Sequence, residues 1–182
     1  MAHLVESEKF SQGSILDGVD WGLGESNPLS IVLSNECDLI NDKASYIVVA
    51  ALVPAKTTII NSKEYLSRIE GYNQGEVGKD KWKKLKDFID GYIYNKGVTR
   101  YFFIDPSPVL EAPFFFVDFQ HILSVPFEEC IKIEPIAQLP TPYKEQMMVQ
   151  FASYTSRIPV DREDDTTAIV EEIVEPIRLK VQ

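Results

Sequence analysis

The chain reads as an α+β protein: a small, strongly bent antiparallel sheet carrying a helical insertion at 61–96 and a C-terminal helix at 141–158. Three observations lead there. Short β-branched segments bounded by Gly, Pro, Asn or Asp recur in both halves of the sequence. Between them the hydrophobic period changes to that of a helix. The 182 residues, 45% of them hydrophobic, suffice for one core without disulfides or a structural metal. Residues 1–160 are therefore expected to form a single domain, with 161–182 as an acidic tail or docking segment.

Gly13 to Val19, Leu29 to Ser34 and Ser45 to Val53 read as the first three strands. Gly22, Gly24 and Pro28 mark the first connection as a loop, and Asn41-Asp42-Lys43 marks the second as a tight turn, so the geometry is an antiparallel meander. Helical spacing begins weakly over Ser62 to Glu70 and becomes strong over Lys79 to Tyr94. There Trp82, Leu85, Ile89 and Tyr92 form an apolar stripe opposite Lys79, Lys81, Lys83, Lys84 and Lys86. The connector Gly71 to Gly75 reads as a loop.

Strand character returns at Thr99 to Ile104 and continues through Phe114 to Phe119, Ile122 to Val125 and Cys130 to Glu134. Pro106, Pro108, Pro113 and Pro126 set the strand ends, because proline donates no ladder hydrogen bond. Thr141 is the expected N-cap of the last helix, with Pro142 in its first position and Tyr143, Met147, Phe151, Tyr154 and Ile158 on one stripe. The expected core contains Ile15, Val32, Val48, Phe102, Phe115, Val117 and Ile122.

Composition excludes several classes of function. Eighteen basic against 28 acidic residues leave a formal charge of -10, and the resulting field repels polyanions at long range. The apolar stretches Ile47 to Pro54 and Pro113 to Val117 fall far short of the roughly 20 residues a membrane span needs. The first ten residues carry Glu6 and Glu8 and lack a secretory pattern, so a cytoplasmic setting is expected. Cys37 and Cys130 then read as two free thiols. No Walker A loop, dinucleotide glycine fingerprint, Gly-x-Ser-x-Gly elbow or His-Glu-x-x-His helix is present, and no cofactor is expected.

Three segments in order, Gly13-Ser14-Ile15-Leu16, Ser30-Ile31-Val32-Leu33-Ser34 and Val48 to Pro54, resemble the opening strands of the MazF/PemK-type toxins, which are SH3-like barrels. They cover less than a quarter of the chain. The chain is also similar to bacterial proteins that pair a Ser-x-x-Cys-Asp turn with a downstream Asp-Phe segment, here Ser34 to Asp38 and Asp118-Phe119. The toxin resemblance implies an SH3-like barrel, a toxin-antitoxin or phage-defence setting, and a protein partner such as an antitoxin or another defence component. The family's ribonucleases place an Arg before the second strand and a Thr or Ser after the third. Here Asn27-Pro28 holds the first position and Lys56-Thr57-Thr58 the second. Without that cation a pentavalent phosphate lacks its expected stabilisation, so the resemblance implies a module that acts through protein contacts. The competing expectation is an endoribonuclease using Lys56, Thr57 and Asp38.

The most unusual local sequence is Ser34-Asn35-Glu36-Cys37-Asp38, five polar side chains directly after an apolar strand. One reading makes Cys37 a nucleophile with His121 as its base. Another makes Cys37, Asp38, Asp118 and His121 a metal site, although two Cys or two His at ligand spacing are missing. The bland reading is a structural turn in which Cys37 is buried while Ser34, Asn35 and Asp38 bond backbone amides, with His121 as a strand residue and Asp118 as a turn cap. Lys83 and Lys86 belong to a lysine-rich helix face that reads either as an RNA contact or as a solvated surface with Trp82 tucked into the apolar stripe. That face and the acidic tail have opposite signs, which allows pairing between subunits of a homodimer.

Overall fold

A computed structural model describes residues 2–6, 9–24, 27–41, 43–70, 78–94, 99–106 and 109–156. The expected loop at Gly71 to Gly75, the acidic tail at 161–182, Asp42, Pro108 and Ile158 lie outside them.

The strands are β1 (Ser14–Leu16), β2 (Ser30–Val32), β3 (Tyr46–Pro54), β4 (Tyr101–Ile104), β5 (Phe115–Pro126) and β6 (Pro135–Gln138). The helices are α1 (Glu36–Ile40), α2 (Ala55–Ile60), α3 (Lys63–Ile69), α4 (Lys79–Ile93), α5 (Phe127–Cys130) and α6 (Tyr143–Thr155). One antiparallel sheet runs in the order β4-β5-β3-β2-β1-β6. The α+β class and the curled, barrel-like sheet follow the expectation. None of the helices described is long and apolar enough to cross a membrane.

The sheet is built around the long β3–β5 ladder, which runs from Tyr46 opposite Pro126 to Pro54 opposite Phe115. Its register slips once. Ala50 lies opposite Ile122 and Ala51 opposite Asp118, so Phe119, Gln120 and His121 have no match on β3 and form a bulge. The two strands expected at 114–119 and 122–125 are therefore halves of one bent strand. β4 pairs only with the first half, from Phe115 to Asp118.

Strand alternation divides the core. Val117 and Phe119 of β5, Leu52 of β3, and Ile15, Ile31 and Phe102 pack on one face, which α6 covers with Met147 and, half-buried, Phe151 and Tyr154. On the other face Ile47, Val49, Val32 and Val125 gather with Leu39 and Cys130 at one end. Phe103 and Phe116 gather with Ala55, Ile59 and Tyr92 at the other.

The two edge strands, β4 and β6, are bridged by the N-terminal segment. The Leu4 amide donates to the Asp105 carbonyl (3.2 Å), and the Asp105 amide donates to the Ala2 carbonyl (2.8 Å). On its other side Val5 exchanges both backbone bonds with Gln138 (2.9 and 2.8 Å). Leu4 points inward and is buried.

Several local expectations fail for identifiable reasons. The link between β2 and β3 holds a helix, α1, ahead of the expected turn at Asn41 to Lys43, because Asn35 caps it and Glu36 and Asp38 favour its first turn. Helix begins at Ala55, before the expected boundary at 61, and Thr58 turns its hydroxyl onto the Pro54 carbonyl rather than extending the strand. The strand expected at Cys130 to Glu134 is the end of α5 and a turn, and the last strand starts at Pro135, where an edge position tolerates proline. Thr141 is not a cap: α6 starts after a cis Thr141–Pro142 peptide, and the Thr141 hydroxyl donates to Glu145 (2.8 Å). Of the expected core, Ile122 is exposed just past the bulge and Val48 is half-buried.

Leu4→Ala should lower the free energy of unfolding by about 2–5 kcal/mol, the usual range for truncating a buried leucine. Chemical denaturation measures this, and a change under about 1 kcal/mol would show that the bridge between the edges contributes little.

Candidate functional site

A buried carboxylate that gathers several partners sits at the bulge. Asp118, with a side chain 2% exposed, faces away from the α6-covered core. Arg100, just before β4, reaches it with a two-pronged contact, Nε to Oδ1 and Nη2 to Oδ2, both at 2.7 Å. Such paired charge-assisted bonds fix geometry as well as contributing energy. The Gln120 amide, freed from the ladder by the bulge, donates to Asp118 Oδ1 (3.1 Å). His121 Nδ1 lies 3.0 Å from Oδ2, while its side chain is 63% exposed. The contact leaves His121 Nε2 on the exposed side of the ring.

This cluster is first a structural clamp, because it satisfies the amide that the bulge releases and ties β4 to β5. The hydrogen bonds to Asp118 are the main cause holding the Arg100 pKa above its ordinary value. The guanidinium also lies over the Tyr101 ring, 4.7 Å from its centroid, and burial is the main cause raising the Tyr101 pKa.

Beyond the Pro54 end of β3, Arg100 and Tyr101 share a cleft of about 650 Å3 with Thr57, Thr58, Asn61, Glu64 and Tyr92 among its walls. Thr57 of the expected set therefore shares a cleft with a guanidinium that sequence reading did not connect to it. The one available signal was Arg100 itself, a lone cation abutting the apolar strand Tyr101 to Ile104. Lys56, on the same helix, is exposed and does not line the cleft.

The polar pentad lies at the opposite end of β3. Ser34 Oγ accepts from the Val48 amide (2.8 Å), Asn35 Oδ1 accepts from the Cys37 amide (3.2 Å), and Glu36 pairs with Lys144 of α6 (2.6 Å). These three residues tie α1 to the sheet and to α6. Asp38 is exposed in the first turn of α1, and the amide-accepting role expected of it belongs to Asn35. Cys37 is exposed rather than buried, and Cys130 is the buried thiol. A cysteine on the outer side of a short capped helix has no core to fill.

Two expected constellations are not assembled. Asp38 and the Lys56-Thr57 pair flank opposite ends of the nine-residue β3, about 25 Å apart at 3.3 Å per residue. Cys37 precedes the Tyr46 end of that strand, whereas His121 belongs to the bulge near Ala50 and turns its Nδ1 to Asp118. The proposed nucleophile and base are thus on separate parts of the sheet. The same separation splits Cys37 and Asp38 from Asp118 and His121 as metal ligands. Among the described residues no group of three or more His, Cys, Asp or Glu is placed to hold a metal.

Along α4, Lys79, Trp82, Lys83 and Lys86 follow i, i+3, i+4, i+7 spacing and share one face. Trp82 is 58% exposed, not tucked into the stripe, which is instead made by Leu85, Phe88, Ile89 and Tyr92. Lys79 to Lys84 are exposed, and burial along α4 begins at Leu85. Lys86 is paired with Asp90 one turn on.

Comparison with protein-family models, curated proteins and solved structures returns no match.

Asp118→Ala should cost about 2–3 kcal/mol, because it strands the Gln120 amide and a half-buried guanidinium. His121→Ala should cost less than about 1 kcal/mol, since the exposed imidazole rehydrates. Urea titration of both variants checks the ranking, and equal costs would contradict the clamp. A thiol reagent at neutral pH should modify Cys37 within the native state and Cys130 only after unfolding, because burial holds the Cys130 thiol protonated with its pKa pushed up to about 11. Mass spectrometry of the labelled peptides reads the order.

Proposed function

We propose that this chain is a MazF/PemK-like module on an SH3-like barrel that works by binding a protein partner and does not cleave RNA. The observation that carries this reading is a groove of about 830 Å3 at the Tyr46 end of the β3–β5 ladder, lined by Ser45, Tyr46, Pro126, Glu128, Glu129 and Ile131 among others. Tyr46 is 61% and Ile131 44% exposed. A large aromatic and an aliphatic side chain flanking a concave surface are the kind of anchors that carry interface energy. The dispersal of Asp38, Lys56 and Thr57 supports the same reading, since catalysis needs its groups within bonding distance of one substrate. By the resemblance, the partner class is an antitoxin or another defence-system protein.

One observation favours the endoribonuclease as a second reading. Thr57 and Arg100 line a common cleft, so a guanidinium from just before β4 shares the threonine's cleft where the toxin pattern has one from just before the second strand. Against it, Arg100 already commits two donors to Asp118.

The two readings separate on purified protein. Single-stranded RNA of mixed sequence should remain intact over hours, and cleavage abolished by both Thr57→Ala and Arg100→Lys would establish the ribonuclease instead. A tagged full chain in its native host should co-purify a stoichiometric protein that is lost, at unchanged melting temperature, in Tyr46→Ala and Ile131→Asp. Retention by both variants would move the contact away from this groove.

A further inference from the structure

We propose that the acidic C-terminal segment of this same chain, residues 161–175, docks on the Lys79-Trp82-Lys83-Lys86 face of α4. This inference is independent of the partner groove and of the ribonuclease reading. It starts from an electrostatic problem in α4. Over Lys79 to Lys86 five lysines accompany a single acid, Asp80. Lys79 with Lys83, and Lys83 with Lys86, are like charges three or four residues apart, which disfavours a helix. Two of the lysines stand in the first turn, the positive end of the helix dipole, and Gly78 supplies no side-chain cap. Lys79, Lys83 and Lys84 have no acidic partner among the described residues, while Trp82 offers an exposed indole at the edge of the patch.

The segment at 161–175 is complementary in both respects. It holds seven acids and one base, and its Ile169, Val170, Ile173 and Val174 supply apolar side chains for the indole. Reach is sufficient. Gln150 Nε2 of α6 donates to the carbonyls of Thr99 (3.2 Å) and Tyr101 (2.7 Å), so the last turns of α6 lie at the foot of β4, close to where the chain leaves α4. From Ser156, nine residues extend up to about 30 Å, and α4 itself is about 22 Å long. Tethering also decides between occupants. An external polyanion must approach a chain of net charge -10, whereas a segment joined by a short linker acts at millimolar effective concentration.

Two measurements on the full chain test this. In a Trp21→Phe background, Trp82 is the sole indole. Replacing Asp161, Glu163, Asp164 and Asp165 by their amides should raise acrylamide quenching of Trp82 about twofold, and about 0.5 M salt should do the same to the unsubstituted tail by screening. In the unmodified chain, a carbodiimide should join tail carboxylates to Lys79, Lys83 and Lys86 in preference to the exposed Lys43, Lys56, Lys63 and Lys132. Mixed 14N and 15N chains assign each cross-link as within or between copies. Unchanged quenching with cross-links spread over all exposed lysines would overturn the proposal. Cross-links found solely between copies would overturn it in favour of a second chain. Protection of Trp82 that appears only when a single-stranded oligonucleotide is added would overturn it in favour of nucleic acid.

Discussion

The contact between Arg100 and Asp118 governs the shape of the sheet. β5 must pair with β3 along its whole length and with β4 along only its first half. A straight strand would leave β4 and β6 far apart as open edges. The unmatched residues Phe119 to His121 give β5 its bend, and a bend of that size releases backbone groups that need new partners. Asp118 supplies one acceptor to the Gln120 amide and holds β4 through Arg100, so the curvature and the attachment of the edge strand depend on one carboxylate. The pair is favourable because Arg100 keeps part of its surface in water, which limits the desolvation that makes fully buried ion pairs costly.

The same ladder explains why the polar residues do not converge on one catalytic centre. The β3–β5 ladder is long enough that the segment leading directly into β3 and the one leaving it directly lie at opposite ends of the sheet. Cys37 and Asp38 go with the first segment, Lys56 and Thr57 with the second, and the bulge holds Asp118 and His121 between them. Each end then has its own surface. The Tyr46 end lines its groove with Glu128, Glu129 and Lys132 beside Tyr46 and Ile131, and the Pro54 end presents hydroxyls, an amide and a guanidinium.

Much of the architecture was legible because it follows from local rules. Glycine and proline punctuation located the strands, and three- and four-residue spacing located α4 and α6. What escaped depended on contacts distant in sequence or on competing local signals. Asn35 followed by Glu36 and Asp38 is a helix start, but the adjoining apolar strand made it read as a turn. Trp82 obeys the spacing of a buried stripe, yet its turn of α4 is exposed, and spacing alone does not say where a neighbour ends. The partnership of Arg100 with Asp118, and that of Thr57 with Arg100 across a cleft, required the fold itself. The helices α3 and α4 fall within the expected insertion at 61–96, but helix starts earlier, at Ala55, because Thr57-Thr58-Ile59-Ile60 has strand composition and helical conformation.

The bridge formed by residues 2–5 bears on the order in which the protein is made. Its two partners, Asp105 and Gln138, lie more than a hundred residues downstream. Translation must run from Ala2 past Gln138 before both hydrogen-bonded flanks can form. Until then the nascent sheet has two unprotected margins, the condition under which strands recruit foreign strands. Closure thus comes long after residues 2–5 are made, and it leaves the growing polypeptide dependent on its own slow completion for protection against association.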